Sequence, residues 1–143
     1  MVNTPDLLAQ SSDIEEIAVT GTRIRGANPA GFSPVTIINQ EQIQISGEMS
    51  IGELLQELPS QGSGNNRNRN NGGSGAVRID FRNLGASRTL VLVDGKRWIN
   101  SGDGANASVD LNTIPTASIE RVEVLKDGAS AIYGSDAIGA VIN

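Results

Sequence analysis

IERVEVLKDGASAIYGSDAIGAVIN, residues Ile119 to Asn143, is the stretch that decides the fold. In its first part Val122 and Val124 fall on one face, with Arg121 and Glu123 between them. That period of two is the mark of a strand with one buried side, so a strand is predicted over 120–125. Gly128 interrupts the pattern, and Gly128–Tyr133 reads as a turn or short helix. Ala140-Val141-Ile142 then begins another strand.

Further strand signals lie upstream. Leu90-Val91-Leu92-Val93 is a continuous apolar run that suggests a central strand. Asp94-Gly95 is a hairpin signal before Lys96-Arg97-Trp98-Ile99. Val77, Ile79 and Phe81 alternate with Arg78, Asp80 and Arg82, which predicts a half-buried strand. Val35–Ile38 is strand-like. Asn39 is placed to cap a helix over Gln40–Ile45 that stops at Gly47. Ser50, with Glu53 three residues on, is placed to cap a second helix. Its Ile51, Leu54, Leu55 and Leu58 share one face, and Pro59 ends it. Leu111–Ile114 predicts one short turn, and Thr116–Ile119 a short helix. The fold class is α+β: a small mixed β-sheet of about four strands with short helices and long loops.

Between these elements the chain changes character. Residues 1–12 are polar and without pattern, and Thr22–Pro34 reads as a linker rich in Gly and Pro. Residues 1–32 are therefore expected to form a flexible arm and 33–143 a single compact domain. Ser60–Gly75 is low in complexity and offers nothing apolar to bury, so an exposed loop is expected. Asn100–Ser108 is a second Gly/Asn/Ser loop.

Composition narrows the chemistry. The chain has 143 residues and a net charge of -5, which argues against a nucleic-acid partner. It has neither Cys nor His. Disulfides, thiolate metal sites and the commonest general base are thereby excluded, so no enzyme, metal or cofactor is expected. Asp80, Asp94, Asp110 and Asp127 sit beside turns, where Asp commonly binds backbone.

The Gly-rich loop invites a phosphate-binding reading, but no Gly-Lys-Ser/Thr opens a helix after it, and it follows a helix and precedes a strand. A milder role survives. Asn65, Asn66, Arg67, Asn68, Arg69 and Asn70, with Asn100, Asp103 and Asn106 from the second loop, are candidate groups for a polar small-molecule ligand. The Asn/Gly-rich composition favours a neutral one.

The run Ile119–Asn143 resembles the signature that closes the plug of TonB-dependent outer-membrane receptors, whose usual form is roughly IERIEVLRGPASALYGSGAIGGVIN. Departures fall at Asp127, Ala129 and Ala140. Three further stretches resemble the plug in order: Ser33–Ile38 with the two short helices, Val77–Gly85 with Asn83 in place of a Gly, and Leu90–Arg97. Together they span Ser33–Asn143. Glu16-Ile17-Ala18-Val19-Thr20-Gly21 resembles a TonB box, a segment able to add as an edge strand to a partner sheet.

The resemblance implies a plug that blocks the lumen of a β-barrel in the outer membrane of a Gram-negative bacterium. It implies energy-coupled uptake of a scarce nutrient such as a siderophore, vitamin or oligosaccharide, and the C-terminal domain of TonB as partner. It also implies that Arg82 and Arg121 pair with barrel carboxylates and face water when the barrel is absent, and that Ala140–Asn143 is frayed. The alternative is a free-standing soluble module that binds a carbohydrate or an anion.

Overall fold

The computed structural model describes residues 35–62, 74–102 and 107–143. Its centre is a five-stranded mixed sheet built from β1 (Val35–Asn39), β2 (Thr89–Val93), β3 (Lys96–Arg97), β4 (Arg121–Leu125) and β5 (Ala140–Ile142), in the order β1-β4-β5-β2-β3. β1 runs antiparallel to β4, β4 antiparallel to β5, β5 parallel to β2, and β2 antiparallel to β3. The helices are short: α1 (Gln40–Ser46), α2 (Ile51–Gln56) and α3 (Ser130–Tyr133). The α+β class with a small mixed sheet, expected from the sequence, is what forms.

Local chemistry explains the ends of several elements. Gln42 Oε1 accepts from the Asn39 N–H at 2.9 Å at the start of α1, and Gly47 takes a left-handed φ of 70° at its end. The Ser50 hydroxyl accepts from the Glu53 N–H at 3.3 Å at the start of α2. Asp94 and Gly95 adopt φ of 50° and 72°. Two positive φ angles give the turn whose twist matches the strands it joins, here β2 and β3. The aspartates act on backbone as expected. Asp80 Oδ1 accepts from Gly85 N–H at 2.7 Å, and Asp127 Oδ1 from Gly128 N–H at 2.8 Å. Asp110 Oδ1 accepts from both Val77 and Asn112 N–H.

Alternation along the strands splits the core in two. Ile38, Val91, Val122, Val124, Ala140 and Ile142 face one layer, covered by Ile43 of α1, Ile51 and Leu55 of α2, and Ile79, Phe81, Val109 and Leu111. Leu90, Leu92, Leu125 and Val141 face the other, covered by Ala129 and Ala137 with Tyr133 packed alongside. α2 approaches closely because of Gly52: a Cβ there would overlap Val77 Cγ1 and lie 3.1 Å from Leu111 Cβ.

Two expectations are corrected. Val77–Phe81 is not a strand of the sheet. Its apolar residues are buried in alternation, but its backbone bonds run to loops: Val77 C=O accepts from Leu111 N–H at 2.9 Å, and Asp80 C=O from Gly62 N–H at 2.8 Å. The periodicity reported which side faces the core, whereas a ladder also needs a neighbouring strand, and among the described residues only the isolated Gln61–Phe81 bridge forms. Nor is the end of the chain frayed. β5 is the middle strand, with Ala140 and Val141 fully buried, and Asn143 exchanges two backbone hydrogen bonds with Glu123, at 2.8 and 2.9 Å. Leu90–Val93 is accordingly an inner strand but not the central one.

Candidate functional site

Of the residues singled out from sequence, 16–21, 65–70, 103 and 106 lie outside the described residues. The roots of both candidate ligand loops are described, and they meet. Ser101 and Ser108 close the second loop through backbone bonds of 2.9 and 3.4 Å. The far root of the first loop is held by Asn112 Nδ2, which donates to Gly75 C=O at 3.0 Å, and by the Val77 contacts with Asp110 and Leu111. Arg78, next along the chain, reaches the second loop: its Nη2 lies 3.6 Å from where a Cβ on Gly102 would stand. The fold therefore brings a described end of each loop, far apart in sequence, close together, with a cation between them. Asn100 is exposed at the same root. Sequence reasoning places Arg78 only on the solvent side of a strand. Its role at the junction depends on a contact no local pattern encodes.

The two arginines expected to meet a barrel are not brought together. Arg82 sits in a turn with Asn83, at φ of 59° and 57°, closed by Leu84 N–H donating to Phe81 C=O at 3.3 Å. Asn tolerates this left-handed backbone well, which explains why it can stand where a Gly is usual. Arg82 is exposed; its Nη2 donates to Lys126 C=O, and Nη1 lies 3.7 Å from Asp127 Oδ1. These contacts lie just beyond one end of β4, whereas Arg121 opens the other. A strand of this length separates its ends by about 13 Å.

Arg121 corrects the expectation of a side chain simply facing water. Its Nε donates to Glu123 Oε1 at 3.0 Å, and Nη1 lies 3.7 Å from Glu120 Oε1. Glu123 is only 1% exposed. A carboxylate taken out of water needs a counter-charge in good geometry, and Arg121 supplies it. From sequence, Glu123 reads as the solvated side of β4. The signal that could have found it is Arg121 two residues away, on the same side of the strand.

Comparison with known proteins gives this architecture its family. Residues 31–141 match the family model of the TonB-dependent receptor plug domain. The chain belongs to the TonB-dependent receptor plug domain family. Solved relatives agree. The siderophore receptor PirA from Acinetobacter baumannii is 32% identical with a TM-score of 0.59, over 76% of this chain and 16% of that one. A double mutant of the ferric enterobactin receptor PfeA from Pseudomonas aeruginosa is 31% identical with a TM-score of 0.61, over 78% and 17%. PirA from Pseudomonas aeruginosa is 31% identical with a TM-score of 0.52, over 76% and 17%. The chain thus spans about a sixth of the length of these receptors. Plug domains are parts of receptors and not enzymes. Among the described residues no helix is long and apolar enough to cross a membrane.

Proposed function

We propose that residues 33–143 form the gating and ligand-contacting plug of a TonB-dependent outer-membrane receptor for a scarce nutrient, with a ferric siderophore as the first class to test. The single observation that carries this reading is the plug-family match over residues 31–141. The relatives named above, which are siderophore and enterobactin receptors, support the ligand class. The convergence of the two loop roots at Arg78 supports a ligand-contacting end, because loops presented together from a rigid sheet can grip one molecule.

In this reading the loops 62–75 and 100–108 meet the ligand, with Arg78 adding a cation at their base. Arg82 and Arg121 face carboxylates of a surrounding barrel. Arg121 enters that contact already oriented by Glu123 at its Nε and by Glu120 at its Nη1. The arm carries Glu16–Gly21 to the TonB C-terminal domain, where it adds as an edge strand and transmits the pull that rearranges the plug. The arm, residues 1–32, and the plug, residues 33–143, are in this view separate working parts.

The test is capture of the full-length receptor on immobilised TonB C-terminal domain. Ile17→Pro removes a backbone donor from the added strand and is expected to abolish capture, while Ile45→Ser on the exposed end of α1 leaves it intact. Undiminished capture of the Ile17→Pro receptor would remove the box assignment.

A further inference from the structure

We propose that a cavity beside β2 binds a small neutral polyhydroxyl compound such as a pyranose sugar or a cyclic polyol. β3 is only two residues long and pairs only with Leu92 and Val93. The Trp98 backbone N–H still donates to Val91 C=O at 3.0 Å, so among the described residues it is the flank of β2 at Thr89 and Leu90 that is not covered by a neighbouring strand. A cavity of about 190 Å³ opens there, between the 3-10 turn Ala86–Arg88, β2, and the chain on either side of the second loop. It is far larger than the ~15 Å³ that admits one water, and smaller than the usual site of a drug-sized ligand.

The second observation is an unpartnered polar group in its wall. Thr89 is only 7% exposed, and its hydroxyl has no hydrogen-bond partner among the described residues. The backbone N–H of Thr89 is taken by Ala86 C=O, so the hydroxyl is the donor left unsatisfied. A buried hydroxyl left so is destabilising and calls for an occupant that can bond to it.

The rest of the wall says what kind of occupant. Arg97 and Asp136 both line the cavity and are bound to each other, so their charges cancel. The remaining polar side chains include Ser87, Asn100 and Ser108, which donate and accept alike. The Trp98 ring adds an apolar surface, with its indole N–H turned away to Thr113 Oγ1 at 2.9 Å. A neutral wall with mixed donor–acceptor groups and one aromatic ring matches a molecule with hydroxyls around an apolar carbon skeleton. An anion would have to break the Arg97–Asp136 pair to find a counter-charge.

Trp98 is the only tryptophan of the chain and lines both this cavity and another beside Ile51 and Leu55, so its fluorescence reports occupancy and the variants Thr89→Val and Asn100→Ala assign it to this cavity. The experiment titrates the 143-residue chain with myo-inositol, methyl α-glucoside and, as the anionic contrast, gluconate. Saturable fluorescence changes at millimolar myo-inositol or methyl glucoside, with gluconate weaker, are expected. Thr89→Val keeps the shape, removes the hydroxyl and is expected to weaken binding about tenfold without lowering the melting temperature. Asn100→Ala, on an exposed residue, is expected to weaken binding too and covers the case in which Thr89→Val does not fold. Absence of any saturable change, equal affinity in both variants, or tighter binding of gluconate would overturn the proposal. Absent binding together with a more stable Thr89→Val chain would identify the cavity as holding only water.

Discussion

One face of the sheet and the other are roofed in different ways. Leu90, Leu92, Leu125 and Val141 are covered by Ala129, Tyr133 and Ala137, all from the single connection between β4 and β5. Val91, Val122, Val124 and Ile142 are covered by α1, α2, the segment 77–81 and the turn at Leu111, which come from widely separated parts of the chain. Among the described residues, the first face takes most of its roof from one connection and amounts to six buried residues; the second holds thirteen and is roofed only once several distant segments have met. The difference teaches where stability lies. The sequence signature feeds both faces, with Val122, Val124, Ala140 and Ile142 on the large one and Leu125, Ala129, Ala137 and Val141 on the small one, while the large face carries most of the buried apolar area and so most of the driving force.

Matched truncations test that division. Leu55→Ala on the large face, where the side chain is fully buried, is expected to cost about 4 kcal/mol in urea unfolding. Leu125→Ala on the small face is expected to cost about 3 kcal/mol, because a roof made of one short connection can settle into the space. Equal losses, or a larger one at Leu125, would break the comparison. The next effect in size concerns the approach of α2. Gly52→Ala should destabilise by about 2 kcal/mol despite alanine's better helix propensity, since the new methyl overlaps Val77. A neutral or stabilising result would show that the large face is looser than its contacts indicate. Smallest is the tie between β3 and the small-face connection. Arg97 binds the Asp136 carboxylate and the Tyr133 carbonyl, but both charged side chains are about half exposed. Asp136→Asn is therefore expected to cost less than about 1 kcal/mol, and the loss should shrink further when melting is repeated at high salt.

Much of this fold is legible in the amino-acid sequence alone, and the reasons are local. Asp94-Gly95 names its own turn because few residues accept two positive φ angles. Gly47 and Ser50 mark helix ends through chemistry confined to one turn. The alternation of Val122 with Val124, and of Val77 with Ile79 and Phe81, picks out buried residues in both segments, though Glu123 between the two valines is buried as well. It cannot say that the first is a strand and the second is not, since both patterns are the same and only one segment finds strand partners.

The candidate site divides in the same way. Arg82, Arg121 and the loop boundaries can be picked out residue by residue. That Arg78 stands where the two loops join, that Glu123 is buried against Arg121, and that Thr89 opens into a polar cavity cannot. What the order of amino acids settled was the family, the apolar periodicity and the turns, because those depend on residues a few positions apart. What the folded chain alone decided was β5 at the centre of the sheet, the partner of each backbone edge, and which charges lose their water. Those depend on contacts between segments tens of residues apart, where the free energy of burial and pairing, not local preference, chooses the neighbour.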